Sequence, residues 1–193
     1  MNEWEKLQKG LIYNDFDDDL FQRRIVAKRL FRDYNKTDDE EVEKRQTIMR
    51  NLFKKVGKSV WIEPDFKCEF GKNITIEDNV YINFGCVILD CAEVIIGRNT
   101  LIGPNVGIYA VNHAIDAEER INGGCHGKPV HIGQNVWLGG DVKILSGVSI
   151  GDNTIIGAGS IVTKDIPSNV IAVGNPCRVI RQITEKDKTG YKK

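Results

Sequence analysis

Through the centre of this chain an aliphatic residue returns at a spacing of six. Ile76, Ile82 and Ile88 open the series, Ile96, Ile102 and Ile108 continue it, and Ile132, Leu138, Ile144, Ile150, Ile156 and Val162 complete it. Four residues after most of them stands a small or β-branched partner: Val80, Cys86, Thr100, Val106, Val136, Val142, Val148, Thr154 and Ser160. The position just after the aliphatic is often glycine, as at Gly97, Gly103, Gly133, Gly139, Gly151 and Gly157. Neither the helical period of about 3.6 nor strict strand alternation sustains such a spacing. A hexapeptide repeat does.

Three six-residue sides make one turn of a triangular prism, each side pointing one large aliphatic inward. Successive turns stack at strand spacing, roughly 4.8 Å, so each aliphatic rests on its equivalent in the next turn and the core is a single column. The glycines are expected to turn the corners, using dihedral angles that other residues avoid. Two irregularities interrupt the series. Ile88 and Ile96 are eight apart, which places about two extra residues between them, and between Ile108 and Ile132 the pattern vanishes.

Lysines plus arginines balance aspartates plus glutamates at 27 each, which argues against a field that would gather nucleic acid or bind an anionic membrane. No apolar run approaches a membrane span, and MNEWEKLQKG lacks a signal-peptide core, so a cytoplasmic protein is expected. The five cysteines, Cys68, Cys86, Cys91, Cys125 and Cys177, include no CxxC pair and suit a reducing compartment. Cys86 occupies an inward small position and reads as a core filler.

Residues 1–57 differ from the rest: charged, poor in glycine and helical in pattern. Asp17-Asp18-Asp19 can cap a helix whose apolar stripe is Leu20, Phe21, Ile25, Leu30, Phe31 and Tyr34. Thr37-Asp38-Asp39-Glu40 has the form of a capping box for a second helix with Val42, Ile48, Met49, Leu52, Phe53 and Val56 on one face and Gly57 at its end. These helices are expected to cap the open end of the prism. Residues 58–180 hold the repeats, with residues 109–131 inserted as a loop. The basic tail 181–193, preceded by Arg178, carries Arg181, Lys186, Lys188, Lys192 and Lys193 and is expected to end in a frayed helix.

A regular prism has no cleft, so chemistry belongs where the repeat breaks. All three histidines, His113, His126 and His131, fall within 109–131.

Several stretches resemble the maltose and galactoside O-acetyltransferases of the hexapeptide-repeat acyltransferase superfamily. They are Gly10-Leu11-Ile12-Tyr13-Asn14-Asp15, Asn79-Val80-Tyr81-Ile82-Asn83-Phe84, Ile88-Leu89-Asp90, Ile108-Tyr109-Ala110-Val111-Asn112-His113, the run Gly157 to Pro167, and Gly174-Asn175-Pro176-Cys177-Arg178. The resemblance implies a mainly β fold, a left-handed parallel β-helix with an N-terminal helical cap. It also implies a homotrimer with active sites between subunits, and acetyl-CoA as co-substrate with no metal required.

The family's catalytic histidine matches His113. A sugar hydroxyl is a poor nucleophile at neutral pH, and an imidazole can remove its proton as it attacks the thioester directly. The match for the acceptor-site asparagine is Asn83, suited to orienting the hydroxyl or holding the oxyanion. Asp15 and Tyr81 match acceptor-pocket positions. Glu69 and Cys91 stand where galactoside enzymes have serine and aspartate, and with Cys68 and Asp90 they look closer to the maltose branch. On the donor side the resemblance points to Gly140, Ala158, Thr163 and Lys164 along the pantetheine arm, and to Arg178 and Arg181 near the phosphates. Trp137, one residue before inward Leu138, should face outward at a subunit interface or the donor tunnel.

Two other readings bear on the same residues. The prism also supports zinc-dependent carbonic anhydrases with three histidine ligands, and His126 and His131 are five apart. A non-catalytic scaffold would keep the prism without its chemistry, which the intact His113 and Asn83 argue against.

Overall fold

The computed structural model describes residues 1–191; Lys192 and Lys193 lie outside the described residues. Three parallel sheets form the faces of a prism. The first face stacks Lys55–Val56, Ile74–Ile76, Val94–Ile96, Val130–Ile132 and Ser149–Ile150. The second stacks Trp61–Ile62, Tyr81–Ile82, Leu101–Ile102, Trp137–Leu138, Ile155–Ile156 and Val170–Val173. The third stacks Lys67–Cys68, Val87–Leu89, Gly107–Tyr109, Lys143–Ile144 and Ile161–Val162. Equivalent aliphatics are direct partners: Ile62, Ile82, Ile102, Leu138 and Ile156 form one column, and Ile88, Ile108 and Ile144 another. These side chains are buried, each contributing about 1.5–3 kcal/mol through apolar area removed from water. This is a parallel β-helix.

The prism starts earlier than its sequence signature. Val56 pairs with Ile76, Ile62 with Ile82 and Cys68 with Ile88. Val56 is therefore the first inward residue of the coil and not the last apolar residue of a helix. This first turn is disguised because Cys68 stands at an aliphatic position and buried Phe66 at a small one.

The corners turn differently from the expectation. Gly97, Gly103, Gly133, Gly139, Gly151 and Gly157 do not have positive φ. They are required because the coils approach closely: a Cβ on Gly97 would stand 2.5 Å from the Gly133 carbonyl, and one on Gly139 2.6 Å from Ala158 N. The left-handed residue comes two positions later. Along one edge it is Asn79, Asn99, Asn135, Asn153 and Asn169, with φ of 58°, 58°, 57°, 55° and 61°. Each of the first four asparagines donates its side-chain amide to the next one's Oδ1, at 3.2, 2.9, 2.8 and 3.0 Å. Asparagine tolerates this conformation, and here it also laces the edge.

Three helices precede the coil: α1 (Glu3–Gln8), α2 (Asp18–Asn35) and α3 (Val42–Leu52). In α1 the Asn2 and Glu5 side chains form a capping box, a signal absent from the reading of two helices. The Asp17 carboxylate caps α2 by accepting from Leu20 N. The buried stripe of α2 is Leu20, Arg24, Ala27, Phe31 and Tyr34, while Phe21 faces solvent. No capping box opens α3: the Thr37 hydroxyl donates instead to Tyr34 O, and Glu41 makes no side-chain cap.

Arg45 of α3, 2% exposed, seats the helices on the coil. It donates to Ile62 O (2.7 Å) and Tyr34 Oη (3.0 Å), pairs with Asp39 and lies over the Tyr34 and Trp61 rings. At the other end the chain folds back as a strand, not a helix. Arg178–Gln182 pairs antiparallel with Val170–Val173 and runs across the expected tail boundary at residue 181, and a 3-10 turn follows at Glu185–Asp187. Among the described residues no helix is long and apolar enough to cross a membrane.

Candidate active site

The breaks in the six-residue spacing all fall at one corner, where the chain passes from the third face to the first. Eight positions separate Cys68 from Ile76 and again Ile88 from Ile96, and in the next turn the long excursion leaves from the same place. Stacked irregularities let the turns brace one another. Asp90, in the second, sends its carboxylate under the first and accepts from the backbone N–H groups of Glu69 (3.0 Å), Phe70 (2.8 Å) and Asn73 (3.2 Å). The Asn73 amide returns a bond to Asp90 O at 2.7 Å.

Asp90 is 0% exposed, so it holds the turn that carries Glu69 and does not line an acceptor pocket. Burial pushes its carboxyl up to about 7, against the opposing pull of the backbone donors. Cys91, also expected at the acceptor, lies inside a small core with Tyr13, Cys125, Leu7, Leu20 and Phe70. Burial pushes its thiol well up. All five cysteines are buried and unpaired.

The excursion is an antiparallel hairpin, Asn112–His113 against Gly124–His126, bridged by the short helix α4 (Ala117–Ile121). The N-terminal strand Tyr13–Asn14 adds to its outer edge, with Tyr13 opposite Cys125, and Asp15 N donates to Gly123 O at 2.8 Å. This brings Asp15 beside Glu69. Arg24 from α2 joins them: it pairs with the Asp15 and Glu69 carboxylates, donates to Asp15 O at 2.9 Å and lies over the Phe70 ring. Burial alone would favour loss of the Arg24 proton, but the two carboxylates outweigh it and hold the guanidinium more firmly charged. Sequence reasoning missed Arg24. Its signal was an arginine on the buried stripe of an amphipathic helix, a place cations occupy only when paired.

His113 is exposed on the hairpin strand at the edge of this three-stranded sheet, opposite Cys125. His126 is half-buried on the partner strand. His131 lies outside the excursion: it sits in Val130–Ile132 of the first face, with Nε2 3.8 Å from Glu93. Among the described residues no group of three or more His, Cys, Asp or Glu could hold a metal, so one chain does not assemble the three-histidine site.

Most of the remaining candidates belong to a different corner, between the second and third faces. Asn83 follows Ile82 there, and its Oδ1 accepts from Phe84 N at 2.8 Å, leaving the Nδ2 hydrogens as donors. Gly103, Gly139 and Gly157 stand below it in successive turns, each bonded through its backbone N–H to the next turn's inward residue. Gly140 and Ala158 flank this bare strip. Tyr81 donates its hydroxyl to Glu63 Oε1 at 2.9 Å. Trp137 faces outward, 53% exposed, between Leu101 and Ile155. Thr163 and Lys164 are exposed at the third-to-first corner, between Val162 and Ile166; Arg178 is exposed toward the C-terminal end, while Arg181 is held in a fork by Asp187 at 2.8 and 2.7 Å. Among the described residues of one chain no hydrogen bond joins Asn83 to His113.

Stacked hexapeptide coils, capped by helices and interrupted at one corner by a histidine-bearing hairpin, define the class of hexapeptide-repeat transferases. The comparisons narrow it. Residues 6–57 match the maltose acetyltransferase hexapeptide capping motif, and residues 129–164 match the bacterial transferase hexapeptide with six repeats. The chain is 45% identical to the galactoside O-acetyltransferase of Escherichia coli K12, covering 97% of this chain and 92% of that protein. The solved maltose O-acetyltransferase of Clostridium difficile 630 superposes with a TM-score of 0.93 at 48% identity, covering 96% of this chain and 99% of the other. A galactoside acetyltransferase solved with coenzyme A gives a TM-score of 0.93 at 44% identity, covering 100% and 96%. The chain belongs to the maltose and galactoside O-acetyltransferase family.

Proposed function

We propose that this protein moves an acetyl group from acetyl-CoA to a hydroxyl of a maltose- or glucose-like sugar, with His113 as general base. The observation that carries the reading is the position of His113. It is exposed on a hairpin outside the stacked core, in the same three-stranded sheet as the segment leading to Asp15. A base so placed can take the hydroxyl proton while the oxygen attacks the thioester carbonyl; the tetrahedral intermediate then breaks its C–S bond, and the leaving coenzyme A thiolate takes the proton back from the imidazolium. No acyl-enzyme is required. The Asn83 amide supplies a donor for the tetrahedral oxyanion, and Asp15, Glu69 and Tyr81 bind the acceptor.

Coenzyme A in the solved galactoside acetyltransferase supports acetyl-CoA as donor here. The bare strip under Asn83 suits a pantetheine arm held by backbone groups. Trp137, Gly140 and Ala158 line it in this reading, with Arg178 and Arg181 toward the phosphates, and Thr163 and Lys164 reach it from the third-to-first corner of a neighbouring chain. Arg181 must then exchange Asp187 for phosphate oxygen. The two half-sites lie on different corners of the prism. A closed three-fold ring brings one corner of each chain to the other corner of its neighbour, so a homotrimer with sites between subunits completes the constellation. The buried, unpaired thiols fit work in the cytoplasm.

The test is release of free thiol from acetyl-CoA over a panel of maltose, glucose and galactosides, with His113→Ala alongside. His113→Ala should lower kcat by about 10²–10⁴-fold with the thermal midpoint retained. A fully active variant removes His113 from the role of base.

A further inference from the structure

Where the prism begins, a hollow of about 440 Å³ lies between α3 and the corner that joins the first face to the second. Met49, Val56 and Val60 give it an apolar floor. Gln46, Arg50, Lys58, Ser59 and Asp78 stand around it, all exposed. Neither half-site uses this corner, since His113 stands at the third-to-first corner and Asn83 at the second-to-third.

The corner differs here from every later turn. Ser59 is the stacked equivalent of Asn79 and shares its left-handed backbone, at φ 54°. Among the described residues its side chain makes no hydrogen bond to Asn79, so the asparagine lacing starts one turn later. Its backbone N–H is also unpaired. In later turns the N–H at this position donates to the turn beneath, Asn79 to Lys58 O at 2.9 Å and Asn99 to Asp78 O at 3.0 Å. No turn lies beneath Ser59, and among the described residues its N–H meets no acceptor. That N–H points off the start of the prism, toward the hollow.

The groups that converge there are mostly donors. Beside the Ser59 N–H and hydroxyl stands the Lys58 ammonium, which has no partner among the described residues, although the Lys58 backbone N–H donates to Asp78 Oδ1 at 2.7 Å. The Arg50 guanidinium makes one side-chain bond, to Gln46 Oε1 at 3.2 Å. Two cations against the Asp78 carboxylate leave one net positive charge, and cations beside an unpaired backbone N–H suit a phosphate. Asp78 Oδ2 accepts no hydrogen bond among the described residues, and it can take a hydroxyl hydrogen. A molecule that satisfies all three elements has a phosphate at one end, hydroxyls at the other and a C–H face for the apolar floor.

We propose that this hollow is a second ligand site, outside the acetyl-transfer machinery, for a sugar phosphate. Ser59, Lys58 and Arg50 hold the phosphate, a sugar hydroxyl donates to Asp78, and the ring lies over Met49, Val56 and Val60. The three-fold ring described above leaves the first-to-second corner without a neighbour, so the hollow stays open in the assembly. The site needs no acetyl transfer and is tested apart from it.

Calorimetric titration of the full chain compares glucose 6-phosphate with inorganic phosphate, with coenzyme A at saturation to fill the donor site. Glucose 6-phosphate should bind more tightly than inorganic phosphate and raise the thermal midpoint. In Arg50→Ala with Lys58→Ala its Kd should rise at least tenfold, while the Kd values for coenzyme A and for free glucose stay unchanged. Both side chains are exposed, and a retained thermal midpoint of the ligand-free variant shows an intact fold. Absence of glucose 6-phosphate binding, or equal binding by the double variant, overturns the site. Binding that disappears with coenzyme A at saturation or in Arg178→Ala assigns the phosphate to the donor site and overturns it too. Glucose 6-phosphate held no more tightly than inorganic phosphate overturns the sugar phosphate as its ligand.

Discussion

Replacing Asn135 by alanine and by glycine separates two things the asparagine edge does at once. Asn135 accepts from Asn99 at 2.9 Å and donates to Asn153 at 2.8 Å, with its own backbone at φ 57°. Both variants lose the two side-chain bonds, worth about 1–2 kcal/mol together at a partly solvated edge. Alanine must also hold a left-handed backbone, at about 1–2 kcal/mol. Glycine holds it freely but adds about 0.4–1 kcal/mol of chain entropy on unfolding. Asn135→Ala should therefore lose about 3 kcal/mol and Asn135→Gly about 2, so the residue with the lower strand and helix propensity is the better substitute. Urea unfolding by circular dichroism reads the order, at equal protein concentration because subunit association raises apparent stability. The slope must match the wild type for the midpoints to be comparable. An alanine variant as stable as the glycine one, with unchanged slope, refutes the claim that the left-handed corner selects asparagine. A glycine variant matching the wild type refutes the ladder.

Three further outcomes follow from particular residues. Lys164→Ala and Arg178→Ala should raise KM for acetyl-CoA while leaving the acceptor's KM nearly unchanged, because in the proposed donor site they meet the phosphates; an effect confined to the sugar would mean the donor and acceptor sides are reversed. The carboxyl of Asp90 is pushed up to about 7 by burial, so its contribution to stability is complete below the ordinary aspartate range and is lost as pH rises through about 7. That loss is on the order of 4 kcal/mol at most. The wild-type urea midpoint should accordingly fall from about pH 4 to about pH 7 and level off above it, while Asp90→Asn lacks that fall; parallel pH profiles would show that another group titrates. Light scattering should give the mass of a trimer, and a fully active monomer at micromolar concentration would rule out a site shared between subunits.

The stacking of Ile76 to Val162 was determined by the sequence itself. A period of six leaves each aliphatic only one place to be buried, on its equivalent in the next turn, and the columns through Ile82, Ile102 and Leu138 follow from counting. The interruption at 109–131 was equally legible, because a broken period is visible without knowing what replaces it. Tertiary structure alone decided three other matters. Val56, Ile62 and Cys68 became a coil only because the turn above templates them. Asp90 and Cys91 went inside because the extra residues at one corner fold under the preceding turn instead of outward. Arg24 met Asp15 and Glu69 across 9 and 45 positions of chain, through a helix docking on a coil and a strand joining a hairpin. Local pattern records which face of an element is apolar. It holds no record of which buried charge a distant segment will come to neutralise, since that pairing exists only once both have left water.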